Sequence, residues 1–252
     1  MTRLSEIERC KGARFLVKFV NQEYLGILLD GNLYMNTLGH FIEQEKRTMI
    51  RGQGDKYEGA HVFGVYNVKI IDPRNNQVIA TANTGTLEER YEGVKEIPVF
   101  CFTAFSAKDF KVIEEKEDSV SFVLDIDIKE KNKILENFGD KAVLLPSNFI
   151  NLIEEEADSQ GLEYIIRSVQ YNDYSIINSD RKKKFEEKSV EIIMWKDNFF
   201  DYQREVRFAI LNQPSQVPTE FNMKSIREQS VVMEAEKFLH DYYVEIKFRN
   251  NN

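Results

Sequence analysis

Cysteine and histidine are scarce in this 252-residue chain, whose complete set is Cys10, Cys101, His40, His61 and His240. Two widely separated cysteines need not pair, and a chain without a disulfide framework is typical of a reducing compartment. The five residues show no zinc-type spacing, and the HExxH pattern is absent. The sequence therefore predicts a cytoplasmic protein without a metal site.

Long apolar runs and loop-forming residues are also in short supply. No stretch is apolar over the length that a bilayer-spanning helix needs, and no secretory signal core precedes the first predicted strand. Only 12 glycines and 5 prolines occur, which argues against a fibrous or loop-dominated chain. We therefore expect neither a membrane anchor nor a membrane partner.

Basic residues are fewer than acidic ones: the chain has 34 lysines and arginines and 42 aspartates and glutamates, which gives a net charge of −8. A diffuse acidic surface repels nucleic acid and anionic lipid. The densest basic segment, Arg181 to Lys184, is followed at once by Glu186 and Glu187. Such a mixture is typical of a helix start with solvated charges, so we do not expect a nucleic-acid partner.

Aromatic residues are plentiful, with 18 phenylalanines and 11 tyrosines. Aromatic side chains favour strands and a well-filled core. Neither an internal repeat nor a linker interrupts the chain. The sequence therefore predicts one α+β domain over residues 1–252, with a mixed, mostly antiparallel sheet, continuous or split, and peripheral helices.

The N-terminal part reads as strand, helix, strand and second helix. Residues 14–20 alternate as a strand does, and Asn21 is a good cap for a helix that ends before Gly31. A second strand over 32–36 places Leu33 and Met35 on one face and Tyr34 on the other. An amphipathic helix over 38–47 follows.

Two interpretations of the next segment, RGQGDKYEG at 51–59, remain open. Its glycines and charges are typical of a solvated, flexible turn. Alternatively, it is a mobile loop over a cleft, in which Arg51 and Glu58 contact a ligand. The segment matches neither the P-loop nor the GxGxxG pattern.

The later chain predicts a hairpin over 60–71 and 77–82, an irregular segment over 83–95, and a strand over 97–105 that is buried on both faces. A further strand over 119–128 would place Asp125 and Asp127 on one solvent-facing side, where a divalent cation is a less favoured alternative. The segment 230–240 reads as a helix.

A carboxylate and a guanidinium lie two residues apart on the predicted strand 204–211, as Glu205 and Arg207. Side chains two apart on a strand share one face, and charges do not enter a dry core unpaired. The pair therefore faces water, pairs internally or lines a cleft. In a cleft, Glu205 is the candidate catalytic residue, as a general base or a stabiliser of a cationic transition state.

Three motifs carry a family resemblance. They are LLDGNLYMN at 28–36, FCFT at 100–103, and the set Lys196, Tyr202, Glu205 and Arg207. In this order they resemble a large family of bacterial and phage proteins of unknown function that are often described as AbiGi-like abortive phage infection proteins. The chain departs from the family pattern at Val206, where the family has Trp, and after Asn36, where the family has Asn-Asp-Pro.

A looser, fold-level similarity links the N-terminal unit and the late strand glutamate to ADP-ribosyltransferases, in which a split sheet grips NAD and a strand glutamate assists glycosidic cleavage. The resemblances imply a phage–host conflict protein with a cleft for NAD or another nucleotide. Together with the residue pattern, they make five side chains ligand-binding candidates: Tyr34, Asn36, Arg51, Glu58 and Arg207.

The resemblances leave open whether the protein is an enzyme. The alternative is a non-enzymatic inhibitor or sensor that binds a host or phage protein through an acidic, aromatic surface. A homo-oligomer is compatible with the sequence as well.

Overall fold

A large antiparallel sheet forms the centre of the fold in a computed structural model that describes residues 2–248. Its eight strands are β1 (Arg14–Val20), β2 (Asn32–Thr37), β5 (Pro98–Ser106), β8 (Lys141–Leu144), β9 (Tyr164–Ser168), β12 (Glu205–Ile210), β13 (Thr219–Asn222) and β14 (Val231–Glu234). Six of them follow the order β13, β2, β5, β1, β8, β14, and β12 and then β9 extend the sheet from the other edge of β5.

Seven further strands lie outside this sheet in the described residues: β3 (His61–Ile71), β4 (Val78–Glu89), β6 (Phe110–Glu115), β7 (Ser119–Leu124), β10 (Gln170–Asn172), β11 (Trp195–Asp197) and β15 (Tyr243–Lys247). β3 and β4 form a long hairpin, and β15, β7 and β6 form a three-stranded antiparallel sheet. β10 and β11 form a short parallel pair. The fold class is therefore α+β with mostly antiparallel pairing, as the sequence predicts.

Six α-helices surround the sheets over residues 2–248: α1 (Gln22–Leu29), α2 (Leu38–Thr48), α3 (Ile128–Asn137), α4 (Phe149–Ser159), α5 (Ser179–Glu186) and α6 (Ala235–His240). α4 covers one face of the central sheet, where Phe149 and Ile153 pack with Phe100 of β5 and Phe208 of β12. The opposite face of β5 and β12 contributes Val99 and Ala209 to a second apolar cluster. β5 is thus buried on both faces, in agreement with its nearly continuous apolar sequence.

The predicted unit of strand, helix, strand and helix is confirmed as β1, α1, β2 and α2. Gly31 has a φ of 92°, which lets the chain leave α1 and enter β2 at once. The cap is different from the prediction, since the Asn21 side chain accepts no bond from the helix. The Gln22 amide donates instead to a carboxylate oxygen of Asp140, at 3.0 Å.

The central sheet is forked at β5, which decides where a cleft can form. β5 pairs with β12 along Val99–Thr103 on one edge. On its other edge it pairs with β2 at Pro98 and Val99, and with β1 over residues 103–106. Residues 100–102 lie between these two pairings, so β1 and β2 diverge there. We call this gap the fork.

Three further predictions about local structure are wrong. Residues 83–89 extend β4 instead of forming an irregular segment, because the hairpin pairs His61 with Glu89. Residues 231–234 form an edge strand of the central sheet, and only 235–240 are helical. The strand at 119 ends at Leu124. Asp127 then caps α3 by accepting from the Lys129 amide, and Asp125 pairs with Arg3 at 2.8 Å.

The basic segment at 181–184 is solvated only in part. Lys182 and Lys183 are exposed and form i,i+4 pairs along α5. Arg181 is fully buried against the ring of Tyr174 and donates to the Val62 carbonyl oxygen at 3.2 Å. In the part of the chain that the structure describes, no helix combines the length and apolarity that crossing a bilayer needs.

Gly139, which follows α3, lies against the junction of β1 and α1. A Cβ atom at Gly139 would lie 2.0 Å from the Val20 carbonyl carbon and 2.3 Å from the Asn21 nitrogen. Both atoms belong to the main chain and cannot rotate away. A residue without a side chain is therefore required where the α3–β8 connection passes the start of α1.

We predict that Gly139→Ala lowers the free energy of unfolding by about 3 kcal/mol or more, because the methyl group displaces backbone. Gly26→Ala is the matched control, since Gly26 lies in α1 with open space around its Cα. Helix propensity should make that variant roughly 0.5–1 kcal/mol more stable. Urea unfolding measures both values, and equal effects at the two positions would contradict the packing of this junction.

Candidate functional site

A cleft of about 800 Å³ opens at the fork, and we call it the fork cleft. Residues 100–102 of β5 form its floor, and β1, α1, β2 and the end of α3 form its walls. The rings of Tyr24 and Tyr34 line it and remain more than half exposed. Its polar lining includes Lys18, Asn21, Asn32, Asn36, Gln203 and Glu205. The cleft therefore joins aromatic surface to a small number of polar groups, as small-molecule sites do.

Four buried charges lie at the inner end of this cleft: Glu58, Lys196, Glu205 and Arg207. We call them the ion cluster. Glu205 accepts from Arg207 Nε at Oε1, at 2.7 Å, and from Lys196 Nζ at Oε2, at 2.8 Å. Lys196 Nζ also donates to the Gln203 side chain at 2.9 Å. Glu205 and Lys196 line the cleft, so one end of the cluster faces the cavity.

The other end of the ion cluster is a bidentate pair between Arg207 and Glu58. Arg207 Nη1 and Nη2 donate to the two oxygens of Glu58 at 2.8 and 2.9 Å, and Nη1 also reaches the Ile193 carbonyl oxygen. Glu58 is 1% exposed and Arg207 is 1% exposed. Two carboxylates and two cations leave the cluster neutral, which is the condition for burying charges at acceptable cost.

Glu58 of segment 51–59 is part of the ion cluster, so the interpretation of this segment as a solvated turn is wrong. Gly52, Asp55 and Glu58 are buried. The Gly52 carbonyl oxygen accepts from the Gln203 amide at 2.8 Å and from the Tyr202 hydroxyl at 3.1 Å. The composition that suggested a flexible loop belongs instead to a largely buried segment that is bonded to β12 and to the residues before it.

The charges of the cluster fix the protonation of Glu205. Burial would raise its pKa, but the guanidinium of Arg207 and the ammonium of Lys196 outweigh burial and hold that pKa well below its usual range. Burial would lower the pKa of Lys196, and the carboxylates of Glu205 and Glu58 raise it instead. Glu205 is therefore an anion at neutral pH, which suits electrostatic stabilisation better than proton donation.

Two neighbouring groups are poor nucleophiles. Burial, followed by the charge of Glu205, raises the pKa of the Cys101 thiol to about 12. The same two causes raise the pKa of Tyr171, whose hydroxyl oxygen accepts from the Glu205 amide at 2.9 Å. Both groups stay protonated at neutral pH, and thiolate chemistry at Cys101 is disfavoured.

Lys18 is a cleft residue that reasoning from the sequence missed. Its Nζ donates to the Cys101 carbonyl oxygen at 2.6 Å and lies 4.6 Å from the centre of the Phe100 ring. Burial lowers its pKa, although Cys101 and Glu205 oppose the shift. The available signal was a single lysine inside the apolar strand RFLVKFV, a position where a charged side chain needs a partner.

The structure places the predicted site residues in three different surroundings. Tyr34, Asn36 and Glu205 line the fork cleft. Glu58 and Arg207 lie behind Glu205, where they bind each other. Arg51 lies outside the lining of this cleft, bonds to Asp197 at 3.0 Å and stacks on the ring of Phe199.

Within residues 2–248, no three acidic, histidine or cysteine side chains are arranged to hold a metal ion. Searches against known proteins add nothing to the assignment: no protein-family model, no curated protein and no solved structure matches the chain. The functional argument for the fork cleft therefore rests on its geometry and on the motifs of the sequence.

We predict that Glu58→Gln lowers the free energy of unfolding by about 3–5 kcal/mol, because it leaves the buried cluster with one uncompensated positive charge. Glu43→Gln is the control. Glu43 lies 3.5 Å from Lys95 with both side chains more than half exposed, and its loss should cost less than about 1 kcal/mol. Urea unfolding at neutral pH compares the two, and a small effect at Glu58 would contradict a buried ion cluster.

Asp55 is a second buried carboxyl group in the same segment. Its Oδ1 accepts from the Tyr57 amide at 2.8 Å, and Oδ2 has no hydrogen-bond partner in the described part of the chain. Burial, and next the carboxylate of Glu58, raises the pKa of Asp55 from 3.8 to about 7. The folded protein therefore holds this proton more tightly than the unfolded chain does.

The sign of the pH effect follows from this difference. Between the unfolded pKa and the folded pKa the native state binds more protons, so Asp55 makes the free energy of unfolding fall as pH rises from about 4 to about 7. Asp55→Asn keeps an acceptor for Tyr57 and removes the titration. We predict that the difference in the free energy of unfolding between the variant and the parent moves in favour of the variant as the pH rises through this window. By pH 8 the change should amount to roughly 4 kcal/mol.

Urea titrations at several pH values measure the difference between the parent and Asp55→Asn. Asp118→Asn, at an exposed turn position, provides the background for an aspartate-to-asparagine change. A parent–variant difference that stays constant from pH 4 to pH 8 would refute a protonated Asp55 in the folded protein.

Proposed function

We propose that this protein binds a nucleotide or NAD-like ligand in the fork cleft and works in phage–host conflict in the cytoplasm. One observation carries the ligand part of the proposal. Two diverging strands enclose a cavity in which aromatic rings, polar side chains and a lysine converge beside a buried anion. The conflict role rests on the family resemblance of the three motifs.

The size of the cleft supports a ligand larger than a metabolite fragment. At about 800 Å³ it falls within the range of roughly 300–1,000 Å³ typical of small-molecule and cofactor sites. The exposed rings of Tyr24 and Tyr34 provide flat surfaces on which a heterocyclic base can stack.

Polar groups of the walls match the rest of such a ligand. The lining also carries the side-chain amides of Asn21 and Asn36, which offer both hydrogen-bond donors and acceptors. The ammonium of Lys18 has three donors and uses one of them on the Cys101 carbonyl. A phosphate oxygen is a natural acceptor for the others.

The charge balance favours a ligand with few phosphates. Lys196 is occupied by Glu58 and Glu205, so among the lysines and arginines that line the cleft within residues 2–248, Lys18 is the one with free donors. Glu136 and Glu220 are exposed side chains of the same lining. A mononucleotide, or NAD with its phosphates directed away from these carboxylates, fits this balance better than a nucleoside triphosphate does.

Glu205 has a specific role in this proposal. Its carboxylate is ionised and is held in place by Arg207 and Lys196, so its negative charge acts only on the part of a ligand that lies directly against it at the end of the cleft. Such a charge stabilises positive charge that develops on a ribose during glycosidic cleavage, which is the chemistry that the fold-level similarity to ADP-ribosyltransferases implies. A protein that binds the ligand without cleaving it would use the same arrangement of Glu205, Arg207 and Lys196.

The alternative function, a protein that acts by binding another protein, draws on a different surface. The hairpin of β3 and β4 carries exposed apolar residues, and none of its residues lines the fork cleft. Ligand binding in the cleft and protein binding on the hairpin can therefore be tested with separate variants.

We predict that thermal unfolding will shift upward with one member of a panel of NAD, mononucleotides, cyclic nucleotides, ATP and GTP. At a hundred times its dissociation constant, a ligand that binds only the folded state adds about 2.7 kcal/mol to the free energy of unfolding. Lys18→Met should abolish the shift, because methionine keeps the stem of the side chain and removes the ammonium.

Lys247→Met is the matched control, since Lys247 is a highly exposed strand lysine on β15. The shift should survive in this variant. A flat panel for the parent protein would refute the ligand class, and an equal shift in Lys18→Met would refute the placement of the anionic group beside Lys18.

A further inference from the structure

Cys101 lies in the middle of the fork, where both neighbouring strands leave the edge of β5 unpaired. β1 stops pairing with β5 at Thr103, and β2 stops at Val99. Continued in the same registers, the two strands would each bring one residue opposite Cys101, which is Phe19 for β1 and Tyr34 for β2. Neither pairing forms, because the two strands diverge before they reach it.

The main-chain N–H group of Cys101 points into this gap. The N–H and C=O groups of one strand residue point to the same edge, and successive residues alternate between edges. Ala104 donates to the Arg204 carbonyl oxygen on the β12 side, so Cys101, three residues earlier, faces the fork. Its carbonyl oxygen accordingly accepts from Lys18 Nζ at 2.6 Å. Within residues 2–248, neither a main-chain nor a side-chain oxygen accepts from the Cys101 N–H.

Two kinds of free donor therefore meet at one residue of the fork. The Lys18 ammonium is bonded to the carbonyl oxygen of Cys101 and keeps two further donors beside the N–H group of the same residue. Both residues line the fork cleft and are partly exposed to it. A main-chain N–H and an ammonium both form strong, charge-assisted hydrogen bonds with an anionic oxygen.

The surrounding charges leave room for one negative charge at this position. Glu205 lies in the same lining, but Lys196 and Arg207 bind its carboxylate, and the ion cluster as a whole is neutral. Lys18 then adds a single positive charge, which a singly charged group neutralises. A doubly charged group would leave one negative charge uncompensated in a partly buried site, which is unfavourable.

We propose that the Cys101 N–H and the Lys18 ammonium together hold one singly charged phosphate of the ligand, as a phosphodiester or the pyrophosphate bridge of a dinucleotide presents it. We call this position the phosphate site. An oxygen of the phosphate replaces the strand acceptor that neither β1 nor β2 supplies to Cys101. The phosphate site is part of the ligand site proposed above and rests on that proposal for its role.

The free amide can be tested in the protein without ligand. Phe100 and Phe102 flank Cys101, and both pair with β12. We expect the Cys101 amide to exchange with deuterated solvent much faster than these two amides, because it lacks their acceptors. NMR measures the three rates. Equal protection at the three positions would show that the Cys101 N–H is already bonded, and this result would overturn the proposal.

Binding at the phosphate site can be followed at a single atom. Selective nitrogen-15 labelling of cysteine gives two amide signals, since Cys10 and Cys101 are the cysteines of the chain. Cys10 donates to the Ile7 carbonyl oxygen at 2.8 Å and serves as the internal control. We expect millimolar dimethyl phosphate, a singly charged diester, to shift the Cys101 signal to saturation and to leave Cys10 in place. Sodium chloride at equal ionic strength is the blank.

Lys18→Met should abolish this shift, and Lys247→Met, at an exposed position of β15, should retain it. The Cys10 signal at its parent position shows that each variant is folded. An unmoved Cys101 signal, an equal shift with sodium chloride, or a shift that persists in Lys18→Met would overturn the phosphate site. Methyl phosphate carries about two negative charges at pH 8. If it binds more tightly than dimethyl phosphate at that pH, the preference for a single charge is wrong.

The phosphate site and the nucleotide proposal fail under different results. A nucleotide that raises the unfolding temperature without moving the Cys101 signal would leave ligand binding intact and would overturn the phosphate site. A flat nucleotide panel, together with a saturable shift by dimethyl phosphate, would support the phosphate site and refute the nucleotide as the ligand.

Discussion

The bidentate pair between Glu58 and Arg207 is the interaction on which the rest of the site depends. It joins segment 51–59 to β12 across 149 residues of chain. A carboxylate and a guanidinium that are both buried recover their lost hydration only when the geometry is good and every remaining donor finds an acceptor. Here the guanidinium also binds Glu205 and the Ile193 carbonyl oxygen. Segment 51–59 is therefore held where it closes the inner end of the fork cleft.

The shape of the cleft has a separate cause, which is the pairing of β5. A strand that is fully paired on both edges leaves no room for a ligand within its sheet. Because β1 and β2 each pair with only part of one β5 edge, residues 100–102 are left facing a cavity. Lys18 crosses this gap to the Cys101 carbonyl oxygen and takes up one of the backbone acceptors that the fork exposes. The polar character of the cleft thus follows from an incomplete sheet, and its rigidity follows from the ion cluster.

Local periodicity predicted the fold class and the face that Glu205 shares with Arg207, because both depend on neighbours in sequence. It also predicted β1, α1, β2 and α2 to within about a residue of their bounds. The partners of the charged pair could not be predicted, since Glu58 reaches Arg207 only through the tertiary fold. The same limitation explains the error at 51–59, where glycine and charge indicate a solvated turn unless a distant residue compensates the charge. The second half of β4 was missed for another reason, because a strand that is exposed on both faces shows no alternation of apolar and polar residues.

The neutrality of the ion cluster has a consequence for recognition. A cluster with two cations and two carboxylates exerts little net field beyond its immediate surroundings, so the overall selectivity of the cleft depends on side chains outside it. The Lys18 ammonium is then the main positive charge that attracts an anionic group of the ligand. The exposed carboxylates of Glu136 and Glu220 limit how much negative charge a ligand can carry. Glu205 acts at shorter range, on the part of the ligand that touches the end of the cavity. Selection of the ligand and any chemistry performed on it are thus carried by different residues of the same cleft.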